Sequence, residues 1–210
     1  MDILNSYDAN FVLLGSRRYV QGSSMTYGLL EALKSWSLGP VKRVRANIRS
    51  ILKEQGRYDL IRDTSAKQLI ERDYNVMFHV RCGSQDFFVG LKGRVEPVSA
   101  SEPYDEVKLI EDCEIIKDSK SARLTLYPEA PLINIIITLN KKLLLSIFST
   151  EGYGQWFLSR YDLDLKKTHL LEPTLLEIEV VGNIGATNTN SAIRLSGQSI
   201  GSIYFSRGIK

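Results

Sequence analysis

The chain has 210 residues, 43% of them hydrophobic, and a formal net charge of +3. That length suits one large domain or two of roughly 100 residues; the apolar share can bury a core, and so small a net charge gives no compositional case for nucleic acid. No continuous apolar run approaches the roughly 18 to 20 residues needed to span a bilayer, since the longest candidate, residues 132–148, is broken by Asn140, Lys141 and Lys142. Residues 1–7 are polar and Asp2 is acidic, so no signal peptide is expected. Cys82 and Cys113 are too few for a disulfide scaffold or a four-ligand zinc site. Two reduced thiols in a cytoplasmic protein, with no metal and no cofactor, is the expectation.

Residues 8–20 read as a first strand, with Phe11, Val12, Leu13 and Leu14 as a buried run and Arg17, Arg18 and Tyr19 leading out of it. Residues 20–36 carry the strongest helix signal in the N-terminal half. Leu29, Leu30, Leu33 and Trp36 recur at intervals of three and four, which places them on one stripe. Ser23 or Ser24 is the expected cap, and Gly39-Pro40 the expected stop. Only Glu31 and Lys34 are charged inside this helix, so a sheet should wrap it. Gly28 costs about 1 kcal/mol against Ala in a helix interior, which points to close approach by a strand or a ligand.

Residues 41–53 alternate imperfectly: Val44, Ala46, Ile48 and Ser50 lie opposite Arg43, Arg45, Asn47 and Arg49. Period two with a basic face argues a strand; a basic amphipathic helix is the competing reading. Residues 57–62 extend that strand across Gly56, and residues 65–71 form a short helical or irregular connection. Residues 74–81 and 86–95 read as two strands joined by a turn at Gly83. The Pro- and Ser-bearing residues 96–106 look like a domain boundary. Short strands follow within residues 107–126 (EVKLI, CEII, ARLTL), and the β-branched run 132–139, LINIIITL, reads as a buried strand. Asn140 then caps a helix over residues 141–149, and further strands are expected over 156–165, 175–181 and 191–205, the last with a turn at Gly197.

The turns RCGSQDFFVG and LSGQSIGSIYF are alike, and Gly83 and Gly197 lie 114 residues apart. That offset carries residues 25–36 of the first helix onto 139–150, close to the second. Two copies of strand, helix and several strands account for most of the chain. One apolar helix covered by an antiparallel sheet is the layout of a hot-dog fold. The expectation is α+β, a tandem hot dog with repeats over residues 1–98 and 99–210.

Residues 21–33, QGSSMTYGLLEAL, resemble the active-site segment of hot-dog β-hydroxyacyl-thioester dehydratases, which have a His-Phe-Pro-Gly stretch, a Met-Pro-Gly turn and a helix containing Leu-Glu-Ala-Leu. Gly22, Met25, Gly28 and Leu30-Glu31-Ala32-Leu33 match that pattern. The dehydratase histidine is missing, with Gln21 before Gly22, and glutamine can supply neither the base nor the acid that dehydration needs. The resemblance extends to hot-dog thioesterases, where a helix carboxylate works with amide or backbone donors on the thioester carbonyl. It implies an acyl-CoA or acyl-carrier-protein thioester as substrate, with Glu31 as catalytic carboxylate and Gln21 and the Gly22 amide orienting the carbonyl. Arg17 is expected to meet a phosphopantetheine or nucleotide phosphate, and Tyr19 and Tyr27 are further expected substrate contacts.

Blander readings stand beside these. Glu31 can be an exposed glutamate beside Lys34 or Ser35, Gln21 a capping residue, Arg17 and Arg18 solvated strand-end arginines. His79 reads as a satisfied core or face residue on its strand rather than a base, and His169 as exposed in a charged loop. Two other functions stay open: a non-catalytic hot-dog protein that binds an acyl chain or a protein partner, and nucleic-acid binding through Lys42, Arg43, Arg45, Arg49 and Lys53, which the neighbouring acids disfavour. The second helix carries no internal carboxylate, so an active site, if present, belongs to the first repeat. Association of two copies into a homodimer is compatible with the sequence.

Overall fold

The computed structural model describes residues 3–62, 73–168 and 172–208; the expected connection at 65–71 and His169 fall outside them. The chain divides into two compact units, Met1–Tyr104 and Asp105–Lys210. The division falls six residues beyond the expected boundary.

The first unit contains β1 (Ile3–Ala9), β2 (Leu13–Leu14), α1 (Gly22–Ser35), β3 (Val41–Ile48), β4 (Glu54–Ile61), β5 (Val76–Cys82), β6 (Gln85–Pro97) and β7 (Ser101–Glu102). Its antiparallel sheet has the order β1-β4-β6-β5-β3, and β2 and β7 form a separate parallel pair. That pair fastens the linker-like passage to this unit. β3 shows the period-two pattern: Val44 and Ala46 are buried, and Arg43, Arg45 and Asn47 are exposed. The strand reading of this basic stretch holds over Val41–Ile48, and the amphipathic helix does not form.

Met25, Leu29, Ala32 and Leu33 bury one face of α1. Tyr58 of β4, wholly buried, reaches that face and donates a hydrogen bond to the Met25 carbonyl at 2.5 Å. Gly28 permits the approach, because a Cβ there would lie 2.8 Å from the Tyr58 hydroxyl and 3.2 Å from the Phe11 ring. Gly28→Ala should therefore destabilise the first unit by about 1–3 kcal/mol even though alanine is the better helix former. Denaturant titration followed by Trp36 fluorescence in a Trp156→Phe background reads this unit directly.

Four expectations in this unit are corrected. Residues 57–61 do not extend β3 but lie in β4, a separate strand that pairs with β1 and β6. The first strand lies at Ile3–Ala9, not at 8–20: after Ala9 the backbone leaves the sheet, and the Gln55 side chain takes over the pairing of Phe11, accepting its N–H at 2.5 Å and donating to its carbonyl at 3.3 Å. Neither Ser23 nor Ser24 caps α1; Gln21 is the N-cap residue and no side chain caps the helix. The left-handed residue that ends α1 is Ser37 (φ +56°), ahead of Gly39 (φ +84°), and the Leu38 N–H reaches back to the Leu33 carbonyl.

The second unit contains β8 (Glu114–Ile116), β9 (Ser121–Leu126), α2 (Leu132–Ile147), β10 (Phe157–Asp164), β11 (Thr174–Ile184), β12 (Asn188–Leu195) and β13 (Gln198–Ser206). Its antiparallel sheet has the order β10-β13-β12-β11-β9-β8. The segment EVKLI forms no strand; Lys108–Ile110 is a 3-10 turn. LINIIITL is the first half of α2 rather than a strand, and Asn140 is wholly buried in the middle of that helix, not at its cap. Ile133, Ile136, Leu143 and Leu144 fall on a helical stripe and are all buried. β-Branching weakens a helix by a few tenths of a kcal/mol per residue, whereas burying each isoleucine contributes about 1.5–3 kcal/mol.

The repeat holds for the helix and for the final hairpin. Gly83 (φ +58°) and Gly197 (φ +78°) occupy matching left-handed turns between β5 and β6 and between β12 and β13. Strand order differs: β11, β12 and β13 are successive neighbours, whereas β6 inserts between β4 and β5, so β4 and β5 run in the same direction. No helix among the described residues is long and apolar enough to cross a membrane.

Candidate functional site

The N-terminus of α1 is where the sequence-predicted residues concentrate. The Val20 N–H donates to the Leu52 carbonyl at 2.8 Å, so the segment entering the helix is pinned to the chain that follows β3. Gln21 is extended (φ −75°, ψ 154°), and its carbonyl accepts the first helical bond, from the Met25 N–H at 3.0 Å. The amides that precede Met25 in this first turn have no intrahelical carbonyl to meet, and no side chain caps them. Gly22 opens the helix, and its carbonyl is taken by the Thr26 hydroxyl at 2.7 Å.

Two buried side chains at this turn carry unpaired donors. Gln21 is 7% exposed and its Nε2 has no acceptor; Ser23 is 1% exposed and its hydroxyl is likewise unpaired. A buried amide or hydroxyl left unpaired costs about 1–3 kcal/mol. A carbonyl or carboxylate oxygen seated against the first turn would lie in the positive field of the helix N-terminus.

Glu31 is not brought to this cluster. Ten residues separate it from Gln21, which at the helical rise is about 15 Å along the axis. It is exposed, and its nearest described partner is the Tyr7 hydroxyl at 3.5 Å. Arg17 is half-buried with its guanidinium 5.8 Å from the centre of the Tyr104 ring; Tyr19 is half-buried and Tyr27 exposed. Sequence reasoning did not mark Ser23 as a candidate site residue, reading it only as a cap. The signal available was its place on the same turn as Gln21, inside an otherwise apolar stripe.

A second feature lies on the solvent face of the first sheet. Arg43, Arg45, His79, Arg81 and Asp86 line a groove of about 180 Å³. Register explains the grouping, since Arg43 pairs with Arg81 and Arg45 with His79 across β3 and β5. Asp86 receives two hydrogen bonds from Arg81, at 2.9 and 2.7 Å, and lies 3.3 Å from His79 Nε2. The Arg81 bonds hold its carboxyl below the usual carboxylate range. His79 also stacks on Phe88 with ring centres 4.8 Å apart. Of the two places its strand allowed, core or face, His79 takes the face. No group of His, Cys, Asp and Glu residues that could hold a metal ion occurs among the described residues.

No protein-family model matches the sequence, and no curated protein does. Solved structures do match in shape. An acyl-ACP thioesterase from Bacteroides thetaiotaomicron is 9% identical with a TM-score of 0.51, the match covering 97% of both chains. A protein provisionally named thioesterase II from Thermobifida fusca is 9% identical with a TM-score of 0.54, covering 97% of this chain and 92% of that one. A protein provisionally named a thioesterase from Novosphingobium aromaticivorans is 13% identical with a TM-score of 0.51, covering 98% and 94%. The helix-in-sheet units and these matches over nearly the whole length agree: the chain has the tandem hot-dog fold.

Proposed function

We propose that this protein handles acyl thioesters of coenzyme A or an acyl carrier protein, with the thioester carbonyl seated at the N-terminus of α1 and hydrolysis as the reaction. The observation that carries this reading is the pair of orphaned donors, Gln21 Nε2 and the Ser23 hydroxyl, beside the uncapped amides of the first turn. Donors fixed at the position of a developing oxyanion stabilise it without reorganising during the reaction. Water adds to the polarised carbonyl carbon and gives up a proton to solvent, the tetrahedral oxyanion collapses with loss of the C–S bond, and the leaving thiolate takes up a proton from solvent in return. Dehydration fits less well, because position 21 carries no group that can exchange a proton. The thioesterase named among the similar structures acts on acyl-ACP, which is the same substrate class.

A second reading has its own support. Glu31 is exposed and remote from Gln21, so no carboxylate from α1 stands over the carbonyl cradle. That favours binding of the acyl thioester without turnover.

The deciding experiment incubates the protein with decanoyl-CoA and with decanoyl-acyl carrier protein, following free thiol and, separately, binding of 2-oxoalkyl-CoA, in which a CH₂ inserted between carbonyl and sulfur prevents hydrolysis. Thiol release supports hydrolysis. Binding without release supports the second reading, and neither result with either carrier removes the thioester function. Glu31→Gln is the companion variant: a loss of rate as large as that of a cradle variant would restore this carboxylate to the chemistry.

A further inference from the structure

We propose that the second unit contains a carboxylate-binding site built on Arg207, independent of the thioester cradle. Arg207 follows β13 and is 5% exposed. Its guanidinium carbon lies 4.2 Å from the centre of the Tyr153 ring and 4.4 Å from that of Trp156. Nε donates to the Ala186 carbonyl at 2.6 Å, and the backbone N–H to the Thr187 carbonyl at 2.8 Å. The head group is therefore held at one edge and against two aromatic rings. Its two terminal nitrogens are buried and have no acceptor.

A buried guanidinium is a charged donor whose N–H groups need acceptors. What satisfies such a fork is a planar oxyanion accepting two parallel N–H bonds. The surroundings supply more donors. Trp156 Nε1, a donor only, is buried and unpaired. Thr189 and Ser191, 3% and 0% exposed, carry unpaired hydroxyls on the inner face of β12. Register brings Thr189 near: it pairs with Phe205, and Arg207 lies two residues beyond Phe205, just past the end of β13, while Ser191 pairs with Ile203, farther along. Phe148, at the end of α2, packs against Trp156 with ring centres 5.8 Å apart, giving the site an apolar wall. Donors at one end and rings along the side suit a carboxylate on an alkyl chain.

Decanoate is the probe, titrated into the full chain carrying Trp36→Phe so that fluorescence reports Trp156 alone. Saturable quenching is expected, weakened at least tenfold by Arg207→Lys, which keeps the charge but loses the fork, and weakened further by Arg207→Gln. Decanol, with the same chain and no carboxylate, should bind at least tenfold more weakly than decanoate. Acetate separates the sources: competition at concentrations similar to decanoate assigns a short free acid, and weak competition assigns a fatty acid, either of which supports a carboxylate site. Equal binding of decanol and decanoate, equal affinity in wild type and Arg207→Lys, or a preference for inorganic phosphate overturns the proposal. Should Arg207→Gln fail to fold, the wild-type comparison of decanoate with decanol still decides. Loss of thioester hydrolysis through the α1 cradle would leave these outcomes unchanged.

Discussion

Asp59→Asn is expected to cost the first unit about 3 kcal/mol, the value typical of a buried carboxylate that loses several charge-assisted hydrogen bonds at once. The Asp59 side chain is wholly buried. Its Oδ1 accepts from Ser6 at 2.7 Å and from Arg57 at 3.2 Å, and its Oδ2 from Lys92 at 2.8 Å and from Tyr74 at 3.1 Å. Burial pushes this carboxyl up, but the hydrogen bonds and charge of Lys92, with Ser6 and Arg57, outweigh it and leave the group below its ordinary value of 3.8. Arg57 and Lys92 are partly exposed and can turn to water in the variant, which keeps the cost below that of an abandoned buried cation. Tyr74 cannot turn out, being 3% exposed, and burial and the Asp59 charge raise its phenol pKa.

The pH dependence of that difference has a definite sign. A carboxyl whose folded pKa is depressed contributes stability that is fully present above its unfolded pKa and lost as pH falls through the folded one. The gap between wild type and Asp59→Asn should therefore be constant between pH 5 and 7, by linkage, and should close below about pH 4. Urea titrations of the Trp36 signal at several pH values measure it. A gap that widens as the solution is acidified would contradict the network.

Gln21→Ala should lower kcat for decanoyl-CoA hydrolysis about 100-fold, the loss typical of removing one oxyanion donor. KM should change little, because the bond strengthens as the carbonyl becomes an oxyanion. The same variant should not destabilise the fold. The Gln21 amide is buried and its nitrogen unpaired, so truncation removes a desolvation cost and should leave stability unchanged or raise it by about 1 kcal/mol. A residue retained only for structure would show the reverse pattern, lost stability with unchanged turnover per folded molecule.

Much of the scaffold was legible in the sequence. The stripe of Leu29, Leu30, Leu33 and Trp36 gave α1, the alternation of Arg43, Arg45 and Asn47 gave the exposed face of β3, and the paired turns at Gly83 and Gly197 gave the repeat. LINIIITL misled because a short β-branched run has no period of its own, and tertiary burial rather than local propensity made it helical. The different strand order of the two units left no trace in periodicity, which is blind to which strands are neighbours. In the site, Gln21 and Gly22 were marked by the resemblance to a known segment. Ser23 and Arg207 were not, since an orphaned donor exists only once three-dimensional burial has removed its water.

The cradle itself is tested most directly by the ¹³C spectrum of a bound 2-oxoalkyl-CoA labelled at its ketone carbonyl. Donation from Gln21 and the first turn of α1 predicts a downfield shift of the carbonyl resonance on binding, partly lost in Gln21→Ala while the ligand stays bound. A bound carbonyl that resonates as in water, or a shift untouched by Gln21→Ala, would contradict a carbonyl held at the N-terminus of α1.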